Sequence, residues 1–193
     1  SFPGFAEETD GDFVPVIDVK ELNIIGKHNY ENAMAAVGCA MTLGVPLCCI
    51  RQALRNFKAV EHRIEFVAEK NGVRYYNDSK GTNPDASIQA VRAMDAETIL
   101  IGGGYDKGSE YDEWIESFEG KIKYLVLMGQ TKEKIAECAR THGFEKIVFV
   151  DSMEEAVSFA SEHSDKGECV LLSPCCASWG MFPNYEVRGK IFK

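Results

Sequence analysis

Apolar positions along the chain follow two different rhythms. Before about residue 60, one extended run, Phe13 to Val19, precedes two helical patterns. Pro15 inside that run cannot donate to a ladder, which places the predicted strand at a sheet edge. Ile24-Ile25-Gly26 leads into an Ala-rich helix from about His28 to Gly44, and Pro46 opens another, with Ile50 to Phe57 apolar at helical spacing. Residues 1 to about 13 are polar, broken by Gly and Pro, and predict no element. One strand and two helices bury too little to fold alone, so residues 1–60 read as the tail of a larger domain.

From His62 the pattern becomes strand–helix alternation. Ile64 to Ala68 and Val73 to Tyr76 make a hairpin through Asn71-Gly72. Strands follow at Thr98–Ile101, Tyr124–Met128, Ile147–Val150 and Cys169–Leu172. Helical runs lie between them, from Pro84 to Val91 and around Asp112–Phe118, Lys132–His142 and Met153–His163. The strands are continuous apolar runs, as in a parallel sheet covered on both faces. The expected architecture is therefore α/β: a Rossmann-like three-layer domain over residues 61–193, mostly parallel, with an N-terminal hairpin. Val60-Glu61 is the boundary.

The 193 residues are 45% hydrophobic and 26% charged, an ordinary globular composition. A formal charge of −9 argues against nucleic acid or an anionic membrane as the main partner. No apolar run reaches the roughly 20 residues that span a bilayer, and no signal-peptide pattern opens the chain. Seven cysteines at irregular spacing, without Cys-x-x-Cys, suggest reduced thiols in a cytoplasmic protein, with no disulfide framework and no zinc site. Neither a Gly-x-x-x-x-Gly-Lys phosphate loop nor a Gly-x-Gly-x-x-Gly fingerprint is present.

Open α/β sheets bind ligands beyond the carboxyl ends of their strands. The loops there carry Asn77-Asp78-Ser79-Lys80-Gly81-Thr82-Asn83-Pro84, then Gly102 to Gly108 with Asp106 and Lys107, and Ser173 to Phe182 with Cys176, Ser178 and Trp179. The first places a carboxylate, an ammonium and two hydroxyls just past a strand, although a polar turn with a helix cap has the same composition. In the first part of the chain, Asn29 and Asn32 share a helix face, where their amides could read a purine edge or ribose hydroxyls. Asn29 could equally cap that helix. Arg63, at the boundary, could clamp a phosphate with its planar fork or tie two domains together.

Taken together, GKHNYENAMAA, HRIE, YYNDSKGTNPDA, GGGYDKG and LLSPCCASWGMFPNYEVRG resemble, in residue and in order, the Mur ligases, above all their D-glutamate-adding members. The likeness runs from about Phe13 to Lys193. It implies that residues 1–60 are the end of a central ATPase domain, whose phosphate loop lies upstream, and that residues 61–193 are the C-terminal ligase domain. The reaction implied is ATP-dependent: the terminal carboxylate of UDP-N-acetylmuramoyl-L-alanine becomes an acyl phosphate, which the amine of D-glutamate attacks, in peptidoglycan synthesis.

By the same resemblance Asn29 and Asn32 contact adenosine, with His28 alongside. Arg63 reaches the nucleotide phosphates, and Asp78 accepts from the ribose hydroxyls. Lys80 neutralises charge near the transferring phosphoryl group or the incoming amino acid. Thr82, Lys107, Ser178, Trp179 and Tyr185 surround D-glutamate, with Lys107 and Ser178 on its two carboxylates. Trp179 and Tyr185 stand at positions where the family varies, and Asp106 is uncertain by one position in its alignment. Cys176 reads as a small packed residue, not a nucleophile. Magnesium is implied, held mainly by the upstream part, and a monomer that is inactive without that part. A hinge falls near Ala59 to His62. Other ligases of the superfamily, such as folylpolyglutamate synthase, and a non-catalytic nucleotide-binding module are the alternatives.

Overall fold

A computed structural model describes residues 5–9 and 12–193, with side chains from Pro15 onward. The chain divides into two compact units, residues 1–59 and 60–193.

In the first unit, β1 (Phe5–Thr9) pairs antiparallel with β2 (Asp12–Ile17), and α1 (Lys27–Thr42) and α2 (Leu47–Asn56) follow. Pro15 sits in β2, in a ribbon of two strands where each is an edge. Strand β1 falls in the stretch that predicted no element. Its partner is β2, so pairing with another strand, and not local alternation, makes it a strand. Val16, Ile17, Ile24, Ala33, Val37 and Ile50 form a small core. Arg51 reinforces it by donating through Nε to the Val16 carbonyl at 2.8 Å.

The second unit is α/β, with a six-stranded sheet. The strands are β3 (Glu65–Lys70), β4 (Val73–Asn77), β5 (Thr98–Gly103), β6 (Ile122–Met128), β7 (Ile147–Phe149) and β8 (Cys169–Leu172). Their order is β3-β4-β8-β5-β6-β7. Only the β3–β4 hairpin is antiparallel; all other pairs run parallel. Between the strands lie α3 (Pro84–Ala93), α4 (Asp112–Glu116), α5 (Lys132–Thr141) and α6 (Met153–His163), and α7 (Tyr185–Phe192) closes the chain. Local chemistry starts several of them. Asn83 accepts from the Ala86 amide with Pro84 at the first helical position, and Ser152 and Asn184 accept three residues ahead in the same way.

Alternate residues of each central strand face opposite layers. Ile99, Ile101, Val126, Met128, Val170 and Leu172 pack with Met153, Ala156 and Ala160 of α6 and Phe192 of α7. Helix α3 packs on α4 and α4 on α5. Trp114 of α4 lies fully buried, and a Cβ at Gly102 would come within 2.9 Å of its ring. With both faces covered, the strands read as unbroken apolar runs, and β5 and β8 are buried at every position.

Helix α7 occupies a stretch, beyond the loop ending at Phe182, where the sequence pattern predicts no element. It is eight residues long and has a glycine in its middle, which erases the period. That glycine is obligatory for packing: a Cβ on Gly189 would collide with Nδ1 of His62. A Cβ on Gly38 in α1 would meet nothing within 4 Å. Gly189→Ala should therefore cost about 1–3 kcal/mol through overpacking. Gly38→Ala should add up to about 1 kcal/mol by helix propensity. Urea unfolding of the two variants gives shifts of opposite sign; a Gly189→Ala protein as stable as the parent would show that the tail does not press on His62.

Candidate active site

The carboxyl ends of β4, β5, β6 and β8 present their loops on one rim. The loop after β4 is held from below. Asn77 is fully buried; its Oδ1 accepts from the Ser79 amide at 3.1 Å, and its Nδ2 lies 2.9 Å from Nδ1 of His62 and 3.3 Å from the Gly189 carbonyl. Because Nδ2 can only donate, Nδ1 of His62 accepts, and the neutral ring carries its proton on Nε2, 3.7 Å from Glu61.

Asp78 is 5% exposed. Its Oδ1 accepts from the Ile64 amide at 3.2 Å and its Oδ2 from the Ser173 hydroxyl at 2.8 Å. Burial pushes its carboxyl up to about 7, against the opposing pull of Ser173, Ile64 and the nearby Arg63 and Arg188 charges. The carboxylate implied as an acceptor for ribose is thus engaged within the domain. Both oxygens face internal donors, and the carboxylate braces the fold.

What it braces is strained. His62 and Ile64 have φ of +66° and +45°. A β-branched residue there costs on the order of 1–3 kcal/mol and persists only where neighbours over-determine it. Here Asp78 holds the Ile64 amide, and the His62 carbonyl accepts from the Lys80 amide at 3.0 Å. Arg63, between the two, is exposed. The loop after β4 thus fixes the turn that presents Arg63.

Lys80 and Thr82 are half-buried on the same loop, and the Thr82 amide donates to the Lys80 carbonyl at 2.9 Å. The Lys80 ammonium stands 5.5 Å from the centre of the Tyr185 ring, within cation–π range, and His62 meets the same ring edge-on at 5.9 Å. The structure therefore brings together Lys80 and Tyr185, with Arg63 on the adjoining turn.

A second grouping forms between the β5 and β8 loops. The Tyr105 amide donates to the Ala177 carbonyl at 2.9 Å, and the Tyr105 and Trp179 rings meet edge-on at 5.5 Å. Gly104 has φ of +151°, and a Cβ there would collide with the Ala177 carbonyl, so the approach requires glycine. Asp106 caps its own turn by accepting from the Gly108 amide at 2.8 Å, leaving Lys107 exposed at the tip. Ser178 is buried and Trp179 is 56% exposed. Cys176 is buried, its sulfur 3.3 Å from the Thr131 hydroxyl and 3.4 Å from that of Tyr111, and burial raises its thiol further from ionisation. It packs.

Arg188, to which the sequence assigns no role, joins both loops. It is 1% exposed. Nε donates to Ser79 Oγ at 3.0 Å, one terminal nitrogen to the Ser79 carbonyl at 2.8 Å, and the other to the Cys176 carbonyl at 3.1 Å. Burial lowers its guanidinium to about 10, so it remains a cation at neutrality. The signal present in the sequence is an arginine in the run Tyr185-Glu186-Val187-Arg188-Gly189, whose face only the helix assigns.

In the first unit, Asn29 is half-buried and its Nδ2 donates to the Ile25 carbonyl at 2.7 Å. Gly26, not Asn29, occupies the N-cap of α1. Asn32 is exposed and His28 half-buried.

Residues 62–176 match the family model described as Mur ligase, glutamate ligase domain. The chain is 65% identical to the UDP-N-acetylmuramoylalanine–D-glutamate ligase of Lachnoclostridium phytofermentans over 92% of its own length and 39% of that protein's. It is 56% identical to the ligase of the same name from Lachnospira eligens, over 92% and 40%. It thus spans about two-fifths of the length of these relatives. Among solved structures, the UDP-N-acetylmuramate-alanine ligase MurC of Thermotoga maritima superposes with a TM-score of 0.67 at 16% identity, over 89% of this chain and 38% of that one. The folylpolyglutamate synthase of Thermotoga maritima gives 0.59 at 21%, over 84% and 38%. At these identities the structural likeness concerns the fold.

The raised Asp78 has a signed consequence. Between about pH 4 and 7 the folded protein holds a proton that the unfolded chain has released, so stability falls as pH rises through that window. Full linkage gives a slope on the order of 1 kcal/mol per pH unit. Asp78→Asn should flatten it, as read from urea midpoints at stepped pH. Parallel profiles for the two proteins would contradict the assignment.

Proposed function

Because the chain belongs to the Mur ligase family, through its glutamate ligase domain, we propose that it is the amino-acid end of an ATP-dependent ligase. That enzyme joins D-glutamate to UDP-N-acetylmuramoyl-L-alanine through an acyl phosphate, in peptidoglycan synthesis. The activation is chemically necessary, since a carboxylate is a poor electrophile and oxide a poor leaving group. Catalysis of such a step rests on positioning and charge neutralisation.

The observation carrying this reading is the second grouping on the rim. Lys107 sits at the tip of one loop and Ser178 and Trp179 on the next, the two tied by the Tyr105–Ala177 bridge and the Tyr105–Trp179 contact. A dianionic amino acid needs two anion-binding points at fixed separation, and two loops locked to each other supply them. Lys107 pairs with one carboxylate and Ser178 donates to the other. Thr82 and Tyr185 complete the pocket, and Lys80 stands where the phosphoryl oxygens or the incoming amine require a cation. Arg63, held out by its strained turn, takes nucleotide phosphate. Asp78 serves as a positioning residue for that turn.

For ATP, Asn32 offers an exposed amide, and Asn29 retains its amide oxygen and one N–H for adenosine. The rim carboxylates do not suit magnesium: Asp78 is closed by internal donors and Asp106 caps its own turn. The ion is assigned to a part of the ligase that this chain does not include. A cytoplasmic monomer is the corresponding reading. All seven cysteines are free and no described helix is long and apolar enough to cross a membrane.

The isolated chain should give no ligation product from UDP-N-acetylmuramoyl-L-alanine, ATP and D-glutamate; detectable product would refute that. In the full-length ligase, Lys107→Ala should raise KM for D-glutamate roughly 10- to 100-fold, the size of a lost charged hydrogen bond, with KM for ATP almost unchanged. Equal rises for both substrates would overturn the role given to Lys107. A competition among amino acids in the same assay separates this reading from another ligase of the superfamily.

A further inference from the structure

On the flank of the sheet, outside the rim, helices α4 and α5 bring four metal-binding side chains together. Asp112 and Glu116 are one helical turn apart on α4. Cys138 lies on α5 and His142 caps its C-terminus one turn later. Nε2 of His142 is 3.7 Å from an oxygen of Asp112 and 3.5 Å from one of Glu116. Asp112, Cys138 and His142 offer ligand atoms that all lie within 4.8 Å of one another.

The two imidazole–carboxylate separations fall on the edges of a coordination tetrahedron, while the Cys138 sulfur, within 4.8 Å of ligand atoms of Asp112 and His142 and 4.0 Å from Nδ1 of that histidine, has to close in on binding. Zinc bonds of about 2.0–2.3 Å to nitrogen, oxygen and sulfur give ligand–ligand edges of roughly 3.3–3.7 Å. The histidine is also oriented for the task. Its Nδ1 lies 3.0 Å from the Cys138 carbonyl, an acceptor only, so Nδ1 carries the proton and the Nε2 lone pair points at the carboxylates. Without a cation, a neutral ring would set that lone pair against two carboxylates. A protonated ring would relieve this by ion pairing, and a metal would do so by coordination.

We infer that Asp112, Cys138 and His142, with Glu116 against the histidine as a further oxygen donor, form a site for a thiophilic divalent transition cation, zinc fitting best, that pins α4 to α5. One thiolate, one imidazole and two carboxylates make a borderline-soft donor set that disfavours magnesium and calcium. The cysteine spacing gives no hint, because the ligands come from two helices and include a single cysteine.

Cobalt(II) titration of the metal-stripped full chain tests this, since cobalt reports both thiolate ligation and tetrahedral geometry in its absorption. One equivalent should bind with a thiolate-to-cobalt charge-transfer band and intense visible bands. Cys138→Ser should lose the charge-transfer band, and His142→Ala should weaken binding at least tenfold. Cys48→Ser/Cys49→Ser, altering exposed thiols of the other unit, should leave both unchanged. The altered α4–α5 side chains are not core residues, so the variants should fold, which circular dichroism checks. As a second readout, zinc should raise the Tm of the parent and not that of His142→Ala. Absence of the band in the parent, or its persistence in both variants, would overturn the site and leave an ion-paired histidine.

Discussion

A buried guanidinium with no bonded carboxylate organises this domain. An arginine taken out of water is costly unless its donors are met. Arg188 meets the need with two backbone carbonyls and a hydroxyl, from Ser79 on one rim loop and Cys176 on another. Those loops follow neighbouring strands, β4 and β8, and would otherwise be independent. The cation fixes their separation. Ser79 in turn donates to the Tyr185 carbonyl at 2.7 Å, so the anchor also locks the start of its own helix.

From that anchor the geometry propagates in two directions. Through Asn77, Asp78 and Lys80 it reaches the His62–Ile64 turn and keeps two left-handed residues in place. Through Cys176 and Ala177 it reaches Tyr105, and so the loop that carries Lys107. Cys175, with φ of +61°, is another left-handed residue, lying next to the Arg188 acceptor, while Asn71 and Glu119 adopt the same region on exposed turns. The three beside the buried network are held by its hydrogen bonds. The exposed cations are thereby mounted on backbone that is rigid for reasons unrelated to their own charge.

That division explains what is legible in the sequence. The sheet is legible because central parallel strands must be apolar throughout, and α5 and α6 because their stripes are long. Lys80, Lys107 and Arg63 stand out as charges in glycine-rich or strand-end loops. Asn77, Asp78, Ser79 and Arg188 share that polar composition yet lie inside, and no periodicity separates a buried polar residue from an exposed one. Asp78 shows this: an aspartate past a strand end suggests a ligand group, and only the positions of Ile64 and Ser173 reveal that it also braces the fold. Helix α7 hides behind Pro183, Gly189 and its eight-residue length.

The strand order also governs how the chain can assemble. Strand β8 is last in sequence and third in the sheet, wedged between β4 and β5. Until it is synthesised, the hairpin and the β5–β6–β7 group share no hydrogen-bonded ladder, and each presents an open edge. Such edges invite foreign pairing, and pairing between distant segments is slow. A nascent chain at that stage is two half-sheets with adhesive margins. The arrival of four residues, Cys169 to Leu172, seals both margins at once and brings out behind it the helix that carries Arg188.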